Sequence, residues 1–238
     1  MEVEEQNSAI PMENTRDSVK NREAFDFALG NILGDGYIHN TKGQLIMDQT
    51  VQRYSLWKYF EGVKLGIVNR KTDLELSYWL ANPVMQERED AETGKVSKTL
   101  SYRVFGRSLF KDWRSHFYTF KKPTDLGFGK GKSLYRKKVP DQIIEWFKSP
   151  YSLAIFYMDD GSHDDNSAIL SMPEHPAYEI ELIRQVLLQN FGLDTTIRYS
   201  NGRANKIYVV RNSWPKFKEI VYPTISQVPD YMYKLRSD

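Results

Sequence analysis

The 238-residue chain contains no cysteine, so disulfide bonds, thiolate nucleophiles and cysteine-based zinc sites are excluded. It has no apolar run as long as a membrane span, and its acidic start, MEVEEQNSAI, lacks the basic and apolar regions of a signal peptide. A glycine-rich phosphate loop is also missing, because GFGKGK at residues 127–132 lacks the Gly-Lys-Ser/Thr spacing. We therefore expect an intracellular protein without a membrane partner, and a Mg²⁺-dependent phosphotransferase is disfavoured.

The charge of the chain is small overall but unevenly distributed. Hydrophobic residues make up 40% of the sequence, enough for a substantial core, and the formal net charge is +2. Residues 1–27 carry seven acidic side chains against three basic ones, and we expect residues 1–20 to form a flexible leader. Residues 121–138 carry seven lysines and arginines against one aspartate. That run is typical either of a solvated loop or of an arm lying along phosphates, and both remain open.

One pattern occurs twice, about half a chain apart. An apolar segment ending in Asp-Gly appears as ALGNILGDG at residues 28–36 and as LAIFYMDDG at residues 153–161. Similar successions of strand and helix signals follow both copies. The sequence therefore predicts an α+β fold with two pseudo-symmetric αββαββα halves, over residues 21–140 and 141–238.

Hydrophobic periodicity and turn residues predict the individual elements. In the first half they indicate a strand pair around the turn at 41–43, a helix over 54–65, strands over 72–80 and 98–105, and a helix over 107–120. In the second half they indicate a strand over 167–171, a helix ending at Gly192, a hairpin of 193–200 and 206–211 around Asn201-Gly202, and a helix over 214–222.

The two repeated segments are predicted to be buried helices that end in aspartate. Gly30 and Gly34 lie one turn apart in the first, at a cost of about 1 kcal/mol each relative to alanine, and such spacing favours close approach of another helix. A carboxylate at a helix C-terminus is unfavourable, and two such ends brought together repel each other. Mg²⁺ relieves this repulsion and needs only a few carboxylates, with water and phosphate oxygens completing its shell. A single Asp-Gly would merely end a helix in a turn, but two at matching positions favour a metal site at Asp35 and Asp160.

The two segments resemble the LAGLIDADG motif of homing endonucleases, with Asp35 and Asp160 at the metal-binding acid of the motif. The resemblance extends to KKVP at residues 137–140 and VPDYMYKL at residues 228–235, as in the single-chain, two-motif, I-SceI-like branch. It covers residues 24–235. It implies motif helices packed at the centre, and antiparallel sheets that form a saddle in the DNA major groove.

The resemblance also implies an activity and a set of site residues. The activity is Mg²⁺-dependent double-strand cleavage of a long DNA target by phosphodiester hydrolysis, with Mn²⁺ as a possible substitute, by a monomer encoded in a mobile intron. Such a protein works in a bacterial or phage-infected cytoplasm or in an organelle matrix. The implied catalytic residues are Asp35, Asp160, Lys137 and Lys234, and the implied metal site also includes Gly34 and Asp159. One residue of register decides between Lys137 and Lys138.

The sequence departs from the family pattern at the helix contact. The small residues of the motif are Gly30 and Gly34 in the first copy but Ile155 and Asp159 in the second, and Leu33 replaces the acid at the sixth motif position. We therefore expect an asymmetric helix contact and unequal cleavage of the two strands. Asp159 occupies a helix-contact position that the motif gives to a small residue, and the sequence does not explain it.

Polar residues on the predicted strands and turns form the candidate DNA surface. Arginines are expected at guanine, amides at adenine, and turn lysines and arginines at phosphates. The predicted DNA-binding residues are His39, Lys42, Gln44, Asp48, Gln49, Arg103, His163, Arg198, Ser200, Arg203, Asn205, Lys206 and Arg211.

Proteins of this fold also act as intron RNA maturases or bind DNA without cutting it. Loss of a motif aspartate would favour those alternatives. Both aspartates and both candidate lysines are present, which favours a nuclease, and intron RNA remains a second possible partner.

Overall fold

The computed structural model describes residues 18–89, 96–121, 134–200 and 202–236. Most of the predicted leader, most of the basic run at 121–138, and Asn201 of the predicted turn lie outside these residues. Among the helices that are described, none combines the length and the apolar character needed to cross a membrane.

The first half is built on a four-stranded antiparallel sheet. Its elements are α1 (Ser18–Leu33), β1 (Tyr37–Ile38), β2 (Leu45–Gln49), α2 (Gln52–Lys64), α3 (Asp73–Ala81), β3 (Val84–Glu89), β4 (Val96–Phe105) and α4 (Trp113–Phe117). The strands lie in the order β1-β2-β4-β3. Two further short strands, β5 (Tyr118–Phe120) and β6 (Tyr135–Lys137), pair with each other, and α5 (Ile143–Trp146) leads to the second half.

The second half repeats this plan. Its elements are α6 (Pro150–Asp160), β7 (Gly161–His163), β8 (Ala168–Ser171), α7 (Ala177–Phe191), β9 (Thr195–Ser200), β10 (Arg203–Val209) and α8 (Trp214–Ile225), followed by a 3₁₀ helix over Pro229–Leu235. The strand order β7-β8-β10-β9 matches that of the first sheet. The predicted α+β fold with two pseudo-symmetric halves is confirmed, and one hydrophobic core runs through both halves.

The motif helices α1 and α6 pack against each other at the centre. A methyl group on Gly30 would lie 2.7 Å from the carbonyl oxygen of Ser152 and 2.9 Å from Cβ of Ile155, and one on Gly34 would lie 2.5 Å from Cβ of Asp159. Ile155 and Asp159 are the counterparts of these glycines in the second motif. The glycines of α1 therefore leave room for the larger side chains of α6. The helix contact is asymmetric, as predicted.

Residues 72–80, predicted to be a strand, form helix α3 instead. The hydroxyl of Thr72 accepts a hydrogen bond from the main-chain N–H of Glu75, and the Glu75 carboxylate accepts one from the N–H of Thr72. This capping box starts a helix whatever the alternation of the residues that follow. The second half has no counterpart of α3, because only residues 192–194 separate α7 from β9.

Two other predicted boundaries are wrong. Residues 107–120, predicted to be one helix, form only the short helix α4 and then β5, because Tyr118–Phe120 pairs with Tyr135–Lys137. Strand β10 ends at Val209, and Arg211 begins a 3₁₀ turn instead of ending the strand.

Candidate active site

The two repeated aspartates line the same cleft. Asp35 follows the last turn of α1, Asp160 is the last residue of α6, and the cleft has a volume of about 450 Å³. The glycine after Asp35 is required by packing, because a methyl group on Gly36 would lie 2.6 Å from the carbonyl oxygen of Asn31. Two motif helices of two halves thus deliver one carboxylate each to one place.

A lysine lies at the C-terminal end of each motif helix. Lys137 Nζ donates to the carbonyl oxygen of Gly34 at 2.6 Å, and Lys234 Nζ donates to those of Gly161 at 2.6 Å and Met158 at 2.7 Å. Neither helix has a basic residue in its own last turn, so these lysines supply the positive charge that a helix C-terminus favours.

Burial changes the acidity of both lysines. It lowers the pKa of Lys137, and it lowers the pKa of Lys234 to about 8, although the carboxylates of the cleft oppose the change in both. Lys138 does not line the cleft, and its main-chain N–H is bonded to the carbonyl oxygen of Phe117. The geometry thus favours Lys137 over Lys138 as the site lysine.

Asp159 lies beside the cleft but is held by other groups. Its carboxylate and the ammonium of Lys58 are both fully buried, with Nζ 2.8 Å from Oδ1 and 2.9 Å from Oδ2. The Tyr54 hydroxyl donates to Oδ1 at 2.8 Å, and the Gln49 amide donates to Oδ1 at 3.0 Å. The main-chain N–H of Asp35 donates to Oδ2 at 3.1 Å. With these donors on both oxygens, Asp159 is a poor candidate for direct metal ligation.

The Asp35 carboxylate is next to this group. The Gln49 amide also donates to Asp35 Oδ2, at 3.2 Å. Although Asp35 is exposed at the rim of the cleft, desolvation by the surrounding protein and the nearby Asp159 charge raise its pKa, against the opposing effects of Lys58 and Lys137. A bound cation would remove this penalty on the charged form.

The donor set of the cleft fits a hard divalent ion shared with a substrate. In the described ranges, no cluster of three or more His, Cys, Asp or Glu side chains could enclose a metal. Asp35 and Asp160 each bring a carboxylate to the cleft, and Mg²⁺ is commonly held by one or two carboxylates together with water and phosphate oxygens. Gly34, included in the predicted metal site, uses its carbonyl oxygen to accept from Lys137.

A second buried ionic group supports the segment that carries Lys137. Glu179 accepts from Arg136 Nη1 at 2.7 Å and from the main-chain N–H of Val139 at 3.1 Å, and its other contact is His175 Nδ1 at 2.7 Å. Burial opposes ionisation, but the hydrogen bonds and charges of His175 and Arg136 lower the pKa of Glu179 overall. The group fixes residues 136–139 and hence the direction of Lys137.

Sequence reasoning missed Lys58 and Glu179. A signal for Lys58 existed, because it shares the buried side of α2 with Tyr54, Ser55, Tyr59 and Gly62. A buried lysine needs an acidic partner, and Asp159 was the acid whose place in the helix contact the sequence left unexplained. For Glu179 the only hint is the i, i+4 spacing from His175.

The first sheet separates the predicted DNA-binding residues into two sets. Asp48 and Arg103 are cross-strand neighbours, with Arg103 Nη2 2.8 Å from Asp48 Oδ2, and the Gln86 amide donates to the same oxygen at 2.6 Å. Gln49 is adjacent to Asp48 and therefore faces the other side of the sheet. There its side chain is buried and donates to the carboxylates of Asp35 and Asp159. The structure thus corrects the predicted role of Gln49, which is not available to a base.

The second sheet carries a cluster of exposed cations. Arg198 lies opposite Lys206 and has its guanidinium 4.3 Å from the centre of the Tyr208 ring. Arg203 lies opposite Ser200 at the end of the hairpin where residues 201–202 connect the two strands. All four predicted residues are exposed, and Asn205 is half-buried.

The remaining predicted DNA-binding residues lie on turns and strand ends. His39 Nδ1 accepts from the N–H of Lys42 at 3.3 Å, so His39 shapes the turn that exposes Lys42. Gln44 is half-buried beside this turn. His163 lies on β7 with its ring 5.6 Å from that of Trp214, and Arg211 is exposed in the 3₁₀ turn beyond β10.

The structure thus combines two carboxylate-bearing helix ends, a lysine at each, and two four-stranded antiparallel sheets, the arrangement that the two-motif resemblance implies. Residues 25–217 match the LAGLIDADG DNA endonuclease family, and the chain therefore belongs to this family. This match confirms the predicted family and its nuclease class.

Three known proteins show what the chain is similar to. It is 22% identical over 221 residues to the cytochrome b mRNA maturase bI2 of Debaryomyces hansenii, covering 90% of this chain and 74% of the relative. It is 23% identical over 221 residues to the protein of the same name from Saccharomyces cerevisiae, covering 90% of this chain and 48% of that relative. The homing endonuclease I-WcaI, solved bound to its DNA recognition sequence, has the same fold, with a TM-score of 0.66, 20% identity and 95% coverage of both chains.

Proposed function

We propose that this chain is a site-specific homing endonuclease that makes a Mg²⁺-dependent double-strand break in a long DNA target. One observation supports this above all: Asp35 and Asp160, from two different motif helices, line a single cleft together with Lys137. A structural role alone would not require an acid at each helix end, where the helix charge disfavours it.

The residues of the cleft have separate tasks in this proposal. Asp35 and Asp160 hold Mg²⁺, which when bound supplies Lewis-acid activation and charge neutralisation at the scissile phosphates. Lys137 and Lys234, fixed by main-chain carbonyl groups, stabilise the negative charge that develops on the phosphorane. Asp159 holds no metal in this scheme. The lowered pKa of Lys234 also suits proton transfer near neutral pH.

The two sheets are the proposed DNA surface. Arg103 and Asp48 contact bases from the first sheet, and Arg198, Arg203 and Lys206 contact bases or phosphates from the second. Because such cations release counterions on binding, affinity for DNA should fall steeply as salt rises. Because both motifs lie in one chain, we propose that the protein acts as a monomer. We place it in a cytoplasm or an organelle matrix.

Selection of cleaved sites from a randomised DNA library tests the proposal. With Mg²⁺, or with Mn²⁺ in its place, the wild type should recover one long target. The matched control, the double variant Asp35→Asn/Asp160→Asn, should recover none. A wild type that cuts nothing across the library would overturn the nuclease proposal.

An intron RNA maturase is the second candidate, because two relatives are named as maturases of cytochrome b mRNA. The chain spans about half the length of one of them, so their activity is not carried over as a whole. Tight binding of an intron RNA without any cleavage of DNA would favour this candidate. The same fold could also bind DNA without cutting it, and retained DNA binding without cleavage would identify that case.

A further inference from the structure

A second, smaller recess lies beside the cleft that holds the two aspartates. It has a volume of about 250 Å³ and shares a wall of three tyrosines, Tyr37, Tyr118 and Tyr135, with the cleft. The rest of its lining comes from residues 38–40, at the end of β1, and from Arg114 of α4. The recess therefore adjoins the site at which the DNA strand is proposed to be cut.

Arg114 is held in a fixed orientation at this recess. Its Nη1 donates to the carbonyl oxygen of Ile38 at 2.8 Å, and the Tyr118 hydroxyl accepts from the N–H of Ile38 at 2.9 Å. Cζ of the guanidinium lies 4.4 Å from the centre of the Tyr118 ring and 5.3 Å from that of Tyr135. Because β1 is an edge strand, these contacts also satisfy main-chain groups at the edge of the sheet.

The charge of Arg114 has no counter-charge in the part of the chain that the structure describes. Arg103 and Arg136, which also have little exposure, each lie within 2.8 Å of a carboxylate oxygen. Arg114 is half-buried as well, yet no described acidic side chain forms an ion pair with it, and only Nη1 donates to a described residue. A partly buried cation favours a counter-charge, and the planar guanidinium is suited to paired hydrogen bonds with phosphate oxygens.

His39 adds a neutral donor to the same recess. Its Nδ1 accepts from the main-chain N–H groups of Thr41 and Lys42, at 3.3 Å in both cases. A ring nitrogen that accepts carries no proton, so the imidazole proton is on Nε2, which is then a hydrogen-bond donor. With His39 and Arg114 in its lining, the recess offers donors and one positive charge, which is the chemistry that an oxyanion requires.

We propose that this recess binds a DNA backbone phosphate close to the scissile one, with Arg114 as the charged ligand and His39 as a second donor. The proposal rests on that part of the proposed function which places a DNA strand in the cleft. Phosphates follow one another along a strand at about 3.4 Å of helix axis, so a strand that enters the cleft brings further phosphates past the shared tyrosines. A phosphate held there fixes the register of the strand over the catalytic acids.

The salt dependence of DNA binding separates this role from mere capping of β1. Arg114→Gln keeps a side-chain donor for the carbonyl oxygen of Ile38 but removes the charge. Loss of one phosphate contact should reduce the slope of log K against log salt concentration by about 0.9. Arg114→Lys keeps the charge and should recover the wild-type slope. An unchanged slope in Arg114→Gln, or an equal reduction in Arg114→Lys, would overturn the role of the charge.

Arg22→Gln is the matched control. Arg22 also lies over an aromatic ring, with Cζ 5.5 Å from the centre of Phe25, and donates to the main-chain carbonyl oxygen of Trp146. It is near the start of α1, about 16 Å of helix axis from the end next to Asp35. The control variant should therefore keep the wild-type slope. A reduction equal to that of Arg114→Gln would show that the effect is not specific to the recess.

Neutral methylphosphonate linkages, introduced one at a time across the centre of the target, locate the contact. Affinity is measured in EDTA on a duplex recovered by selection for binding. One substitution should weaken binding by the wild type about tenfold, as expected for loss of a charged hydrogen bond. The same substitution should weaken binding by Arg114→Gln less than about twofold, because the two changes remove one contact. Equal losses in both proteins at every position would overturn the phosphate site.

These binding measurements need no cleavage, so the two proposals fail separately. If the wild type cuts no DNA but one methylphosphonate is coupled to Arg114, the nuclease proposal fails and the phosphate site stands. If the wild type cuts its target with Mg²⁺ but no position shows coupling, the phosphate site fails and the nuclease proposal stands.

Discussion

Replacing Gly30 with alanine tests the close packing of the two motif helices. The new methyl group would lie 2.7 Å from the carbonyl oxygen of Ser152 and 2.9 Å from Cβ of Ile155. Because the first of these atoms belongs to the main chain, the helices must separate. Overpacking costs about 1–3 kcal/mol, and the upper end applies when the backbone must move. The higher helix propensity of alanine offsets about 1 kcal/mol, so the net loss of unfolding free energy is about 2 kcal/mol.

Urea unfolding followed by circular dichroism measures the loss of free energy, and thermal unfolding measures the shift in melting temperature. The melting temperature should fall by about 4–8 °C, at about 2–4 °C per kcal/mol for a chain of this size. Gly62→Ala is the comparison: Gly62 also lies inside a helix, but the atom 2.5 Å from an added methyl group there is a side-chain methyl group of Val68, which can shift where a main-chain oxygen cannot. We expect a smaller loss there. A Gly30→Ala protein as stable as the wild type, or more stable, would refute the packing argument, because helix propensity alone predicts a gain of about 1 kcal/mol.

Three further predictions concern charged groups around the cleft. Lys137→Met should slow cleavage at least a hundredfold, because it removes a positive charge at the scissile phosphate. Lys138→Met, the control, should leave the rate unchanged. Equal effects of the two substitutions would reject Lys137 as the site lysine. Burial lowers the pKa of Lys234 from 10.5 to about 8, so the folded protein binds fewer protons than the unfolded chain between these values, and this residue makes stability rise with pH. Unfolding free energy should rise by about 2–3 kcal/mol more in the wild type than in Lys234→Met from pH 8 to 10.5, and parallel curves would contradict the shift. Glu179→Gln removes the carboxylate that neutralises the buried Arg136 and should cost about 3–5 kcal/mol in urea unfolding, while a loss below about 1 kcal/mol would show that the pair is not needed for folding.

The parts of the fold that the sequence predicts correctly are those fixed by local chemistry. Ser149 and Pro150 begin α6, with the Ser149 hydroxyl accepting from the N–H of Tyr151. Gly192 ends α7 in the left-handed conformation, at φ of 60°, which glycine adopts without strain. The repeat of the two Asp-Gly segments then gives the pseudo-symmetry of the two sheets.

The strand predicted over residues 72–80 fails for a reason that was also local. The alternation of apolar residues in LELSYWL favours a strand, but Thr72 and Glu75 carry the spacing of a capping box. The cap satisfies main-chain donors at the start of the helix, and it outweighs a weak alternation. This error could have been avoided from the sequence.

The partners of the buried charges could not be predicted in the same way. Lys58 and Asp159 lie 101 residues apart, and Arg136 and Glu179 lie 43 apart. Each pair forms only when elements from different parts of the chain meet, two helices for Lys58–Asp159 and a strand and a helix for Arg136–Glu179. A buried lysine and a buried aspartate each signal a need for a partner, but only the packed structure shows that they meet. The same packing places Gln49 on the acids instead of in the DNA groove.

Cleavage of a plasmid that carries the selected target is the decisive measurement. In single-turnover reactions with Mg²⁺, the wild type should convert the supercoiled plasmid to the linear form. Asp35→Asn and Asp160→Asn should bind the target with unchanged affinity and produce no linear DNA, because each removes one of the two carboxylates of the cleft. Linear product from either variant at the wild-type rate would contradict the assignment of these aspartates as the catalytic acids.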